Sequence, residues 1–340
     1  MVSLEQAQSS NARIASDLPA GLVAVFLGGT AGIGKLALTA FAKKTVKPRI
    51  YFLGRSKEKG DRIAAELKEL NPDGEYSFIN SDVSLLHNVD DVCREIKSRE
   101  KHINLLFLTT GTLQSGKKTE EGLDLMVTVT HYSRIRFVVN LLPLVRRAPA
   151  LRRVVSVLCG TKEGEMNIND FPGKNIGLTQ MRAHYGSMMT FALESLALEA
   201  PDVSFVHNYP GPVKSDLGKD NNSAAIKPLM WAFKILGPLV WMSDADAAEW
   251  HLFLSTSAMF PPKLVVENTA GVPVGEGVTV VVGSNGEKGS GAYSVTYNGE
   301  PPSQKVLDLL ARQRAQDAVR KLWFHIEEDV FRRVTGTTFI

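Results

Sequence analysis

From Leu27 to Gly34 the chain reads LGGTAGIG, with glycines at positions 28, 29, 32 and 34, of which the first and the last two matter most here. The apolar run LVAVFLG leads into it, and a helix-length amphipathic stretch follows. Between a strand and a helix these glycines have separate physical tasks. Gly28 makes the tight turn, Gly32 lets the backbone approach a pyrophosphate, and Gly34 lets helix and strand pack closely. Thr30 and Ile33 complete the turn. Phosphates then sit at the helix N-terminus, where unpaired N–H groups and the dipole favour an anion. A mere tight turn is the competing reading, and the flanking strand and helix patterns speak against it. The expected ligand is a dinucleotide.

Other chemistries find less support. The two cysteines, Cys93 and Cys159, have no paired spacing, so neither a disulfide scaffold nor a zinc site is expected. A reducing, cytoplasmic setting is the expectation. The seven histidines are scattered without metal-ligand spacing, and no metal is expected. A net charge of +3, with basic residues that do not interleave with aromatics, argues against nucleic acid. The first residues are polar, unlike a signal peptide. No run reaches the roughly 18 apolar residues of a membrane span. The nearest, Ile226 to Met242, is broken by Lys227, Pro228, Lys234, Gly237 and Pro238. It reads as a packing helix or loop, as a lid over an apolar substrate, or as a membrane-surface contact.

These residues need a scaffold, and the chain supplies an alternation of short apolar runs with amphipathic stretches. That pattern predicts a parallel sheet wound with helices on both faces. Strands are expected at 22–28, 49–54, 76–80, 103–109, 153–158 and 203–208, with a seventh at 277–284. Helices are expected near 33–44, 57–70, 86–99, 120–146, 180–199 and 244–256, and a C-terminal one from Gln304 to Val334. The Gly-rich stretch 285–300 reads as a loop with a short strand. The chain then divides into an N-terminal arm (1–19), a dinucleotide-binding core (20–260) and a C-terminal extension (261–340) on the same domain. Ligands of such a fold bind at the carboxyl ends of the strands.

The spacing Gly-x-x-x-Gly-x-Gly resembles the short-chain dehydrogenase/reductase family, and further matches run in order over roughly residues 20 to 260. The resemblance implies a Rossmann-like, doubly wound sheet of about seven strands. RIYFLGRS ends the second strand with Arg55, where an NAD-specific member carries an acidic residue. An arginine there can hold the 2′-phosphate of NADP in a bidentate fork, or can be a plain surface residue. Asp82 and Val83 follow the third strand where the family sets an Asp against adenine, and Asp82 can also cap the next helix. Thr110 and Gly111 lie in the turn after the fourth strand, LTTG here in place of Asn-Asn-Ala-Gly. YPGPVKSDL resembles the family's Pro-Gly-x-Val-x-Thr segment, which implies Pro210, Gly211 and Val213 beside the nicotinamide, with Ser215 for the Thr.

The catalytic pattern is only partly kept. The resemblance makes Tyr185 the residue that protonates or deprotonates the substrate oxygen. Four residues on, Met189 stands where the family has the Lys that lowers the Tyr pKa. Cys159 stands where a Ser is expected and Thr130 where an Asn is expected. Unaided, a Tyr titrates near 10 and is almost wholly protonated at neutral pH, so carbonyl reduction suffers less than alcohol oxidation. Arg182, one turn before Tyr185, either supplies charge or is a surface residue. His184 points about 100° away from Tyr185 on the helix. Cys159 is a nucleophile only if a cation or helix N-terminus activates it, and otherwise a small pocket-lining residue. Thr130 donates a hydrogen bond or is an ordinary helix residue. Two functions stay open. One is an NADP-dependent reductase of an apolar carbonyl, imine or activated alkene, resembling members of fungal biosynthetic pathways. The other is a non-redox isomerase, cyclase, dehydratase or pseudoenzyme on the same fold. The resemblance also suggests a homodimer.

Overall fold

The computed structural model describes residues 2–214 and 241–340. Ser215 and residues 226–240 of the apolar run Ile226 to Met242 lie outside the described residues. Seven strands form one sheet in the order β3-β2-β1-β4-β5-β6-β7, every pair parallel. They are β1 (Val23–Leu27), β2 (Arg49–Gly54), β3 (Glu75–Asn80), β4 (Leu105–Leu108), β5 (Arg153–Val157), β6 (Ser204–Tyr209) and β7 (Ala292–Thr296). β1, β4 and β5 are buried along their whole length, which is why they read as continuous apolar runs. The strand order reverses between β1 and β4, where Leu27 pairs with Leu108, and a crevice opens above that reversal.

Helices cover both faces. On one lie α1 (Leu4–Ala12), α2 (Gly32–Lys44), α3 (Lys57–Leu70) and α7 (Asp244–Thr256). On the other lie α4 (Leu86–Arg99), α5 (Ser133–Arg146), α6 (Leu178–Glu199), α8 (Gln304–Ala315) and α9 (Ala318–Phe324). The N-terminal arm is itself helical. Ser3 and Gln6 form a reciprocal capping box, and α1 packs on α7.

Three expectations need correction. Residues 277–284 are not a strand, because Ala292–Thr296 takes the free edge of β6, with Phe205 opposite Ala292 and Tyr209 opposite Thr296. The run instead forms a loop in which Val281 N donates to Met259 O and Val282 bridges to Lys288. Residues 120–146 are not one helix. Gly122 takes a φ of +76°, Asp124 caps a short turn at Leu125–Val127, and Thr128–Tyr132 adopt a π-helical turn before α5. The C-terminal helix breaks at Asp317, whose φ is +63°, and His325–Arg332 is π-helical. Its apolar side, including Leu322, Ile326 and Phe331, packs into the core of that face. Beyond it Arg136, ion-paired to Asp90, also donates to Thr337 O and Thr338 O, and Ile340 N donates to Asn140.

Candidate nucleotide and catalytic cleft

A cleft of about 880 Å³ runs across the carboxyl ends of β1, β2, β4 and β5. It gathers every residue expected at the site from Gly28 to Val213. At one end the backbone sets the shape. Gly28 has a φ of +96°, and a Cβ there would lie 2.6 Å from Thr109 Oγ1. A Cβ on Gly34 would fall 2.1 Å from Gly28 O, so no side chain fits at that contact. Gly32, with a φ of +51°, faces open space. α2 starts with no side-chain cap at Ala31 and no acidic residue in its first turn, which leaves its N–H groups to an anion in the cleft. These features fit the pyrophosphate of a dinucleotide.

Further along, Arg55, Ser56 and Lys59 border the cleft just past β2. Lys59 escaped the sequence reading because it sits inside the α3 pattern, although residues following a second strand are natural places to look for a phosphate partner. Asp82 and Val83 also line the cleft. Asp82 does not cap α4: its Oδ1 accepts from Ser84 N at 3.0 Å. Glu121 takes that role from the loop after β4, accepting Leu86 N at 2.7 Å and His87 N at 3.0 Å.

At the other end side chains set the chemistry. Tyr185 comes from α6, is 5% exposed, and its Oη donates to Pro172 O at 3.0 Å. Burial holds its pKa well above the ordinary tyrosine value, with Asp124 and Asp170 adding to the effect. Met189, one turn on, is fully buried in the core and supplies no charge. His184 is also buried and turned away. Its Nδ1 accepts Asn167 N, so Nε2 carries the proton and donates to Phe171 O at 3.0 Å. Thr130 sits in the π-helical turn and spends its hydroxyl on Met126 O at 2.6 Å, while Thr110 Oγ1 donates to Val129 O at 3.1 Å.

Cys159 does have cations nearby. Burial pushes its thiol up to about 11, against the pull of Arg182 and Arg134. It therefore lines the cleft as a neutral thiol and is no activated nucleophile. Its backbone N–H donates to His207 Nε2 at 3.0 Å. That bond leaves the His207 proton on Nδ1, facing Thr190 Oγ1 at 2.7 Å, and Thr190 in turn donates to Glu163 Oε1 at 2.6 Å. Burial, helped by Arg134, keeps His207 neutral, its pKa pushed down to about 3. The chain of bonds braces the end of β5 from below.

Arg134 is a second residue that sequence reasoning missed. It lines the cleft at 1% exposure, one turn beyond Thr130. Nε donates to Thr110 O at 2.9 Å, and Nη1 donates to Ser156 Oγ at 3.0 Å and Val157 O at 2.8 Å. Nη2 also reaches Thr110 O. Among the described residues it has no carboxylate partner, and burial pulls its pKa down to about 9, still protonated at neutral pH. The signal was present in SRIRFVVNLL, where two arginines interrupt a run too apolar to face water.

Comparison with known proteins gives a single picture. Residues 22–156 match the short chain dehydrogenase family. The chain is 34% identical to the oxidoreductase andH of Emericella variicolor, over 99% of each chain. It is 30% identical to the short-chain dehydrogenase/reductase SAT2 of Stachybotrys chartarum, over 91% of this chain and 92% of the other. Among solved structures, an NADP complex of Pseudomonas aeruginosa RhlG superposes with a TM-score of 0.54 at 18% identity, covering 76% of this chain and 96% of that one. This last likeness is one of fold.

Proposed function

The chain belongs to the short-chain dehydrogenase/reductase family, and from that premise we propose that it is an NADPH-dependent reductase of an apolar carbonyl, imine or activated alkene. The observation that carries this reading is the pairing of a nucleotide cradle with a protonated Tyr185 in one cleft. NADPH bound there would supply a hydride. Gly28, Gly32, Gly34 and the α2 N-terminus would hold its pyrophosphate, Arg55 and Lys59 its 2′-phosphate, and Asp82 and Val83 its adenine. Thr110, Gly111, Pro210, Gly211 and Val213 would border the nicotinamide end. The NADP and NADPH complexes among the fold neighbours support that choice of cofactor.

Tyr185 serves as the acid. Its Oη leaves Pro172 O and donates its proton to the substrate oxygen as charge develops there. Cys159 and Thr130 give weak polar support beside it. A phenol this hard to ionise favours reduction, since oxidation of an alcohol needs the phenolate as base. The rate of reduction is therefore expected to hold steady through neutral into alkaline pH, with oxidation appearing only at the alkaline end.

The test is NADPH oxidation against a panel of hydrophobic carbonyls. Tyr185→Phe is expected to lower kcat by about 10²–10⁴ with nucleotide affinity intact. The buried Met189, in place of a cation, favours the second reading, a non-redox reaction on the same fold. NADPH binding with no hydride transfer to any carbonyl, and a Tyr185→Phe variant that behaves like the parent, would decide for it.

A further inference from the structure

The catalytic end of the cleft is bordered by cations that no carboxylate among the described residues offsets. Elsewhere, sequestered arginines meet carboxylates: Arg136 with Asp90, Arg314 with Glu194, Arg152 with Asp202, Arg49 with Glu100. Arg153 is an exception, but it starts β5, at the opposite end from the cleft, and donates to three backbone carbonyls. Around the catalytic end, the buried Arg134 and the exposed Arg182 and Lys162 have no carboxylate partner among the described residues. Arg182 lines the cleft and stacks on Tyr209 at 4.8 Å, and Lys162 lies over the same ring at 5.3 Å. Tyr209 directly precedes Pro210, so both cations stand at the mouth of the substrate end.

The neighbouring acids are committed. Glu163 is fixed by Thr190 and Ser294, Glu165 pairs with Arg312, and Asp170 accepts Lys174 N and Asn175 N. A guanidinium stacked on a ring uses its face and keeps its N–H edge, which here also reaches Cys159, for a planar anion. Arg182 is three residues from Tyr185 on α6, and so shares its face. The same cleft is lined by apolar side chains as well, among them Leu125, Met126, Val129 and Met181.

We propose that the substrate is an amphipathic carboxylic acid, its carboxylate held by Arg182 with Lys162 beside it and its apolar body against those apolar side chains. The proposal rests on the reductase reading only in that the acid's carbonyl is then presented to Tyr185. Binding alone tests it. Octanoate and octanamide, alike in size, are titrated calorimetrically into the NADPH-loaded protein. Octanoate is expected to bind at least about tenfold more tightly, a ratio equal to 1.4 kcal/mol. Arg182→Met should erase the difference without changing Tm or NADPH affinity, and Lys162→Met should narrow it. Equal affinities, no binding of either probe, or a preference that survives Arg182→Met would overturn the proposal. So would a fall in NADPH affinity in Arg182→Met, which would assign the arginine to the cofactor. A carboxylate preference in a protein that transfers no hydride would leave this site standing and remove the reductase reading instead.

Discussion

At the nucleotide end of the cleft the backbone does the holding, through glycines whose missing side chains make room and a helix terminus whose N–H groups stay open. At the catalytic end the holding falls to side chains: Tyr185 on Pro172 O, Thr130 on Met126 O, Arg134 on three acceptors. The two ends tolerate change differently. Backbone shape is set by steric exclusion, so almost any substitution at Gly34 collides. A side-chain constellation can lose a member and be rebuilt from a neighbouring position. Met189 and Cys159 stand where the resemblance implies a Lys and a Ser, and Arg134 approaches Cys159 from α5.

Three experiments sharpen or break that contrast. The largest effect is expected from Gly34→Ala, which sets a methyl 2.1 Å from Gly28 O. It should cost about 3 kcal/mol or more in stability and remove measurable NADPH binding, read by thermal melting and fluorescence titration. A variant with the parent's Tm and affinity would show that the turn yields after all. Next is Met189→Lys, which puts back the family's ammonium. Because that position is fully buried, the charge meets no solvent, and a loss of several kcal/mol without faster reduction is expected. A stable and faster variant would mean that the position opens to the cleft when nucleotide binds, and the contrast would weaken. The smallest effect belongs to Arg55→Asp. It should move the NADPH-over-NADH preference by about 1–3 kcal/mol and reverse its order. Equal affinities for the two nucleotides in the parent would defeat the assignment of Arg55 to the 2′-phosphate.

Much of this was legible in the residues. Six strands and the helices at 57–70, 86–99 and 244–256 follow directly from apolar periodicity bounded by turns, since each segment's local pattern agrees with its place in the sheet. The glycine turn was legible for a related reason, because glycine spacing is a local record of backbone shape. The seventh strand was not. GVTVVVGS has the stronger apolar pattern, and the edge of β6 nevertheless goes to AYSVT, a choice made by chain path rather than propensity. Arg134 was hidden because burial of a charge depends on carbonyls from the turn after β4 and from β5, brought to it only by folding. The π-helical turn at Thr128–Tyr132 leaves no mark in the periodicity of a segment so short.

The bonds between the end of the chain and the α4–α5 face bear on how the protein is made. Arg136 and Asn140 emerge from the ribosome some 200 residues ahead of Thr337, Thr338 and Ile340, to which they are joined. Lys97 waits longer still, 243 residues, for Ile340 O. Throughout that interval the nascent sheet can wind and the nucleotide turn can form, but this face stays unsealed. Contacts so distant in sequence are the slowest to close. A ribosome stalled within the last helix would therefore carry a chain with its nucleotide turn made and a strip of core still open to chaperones.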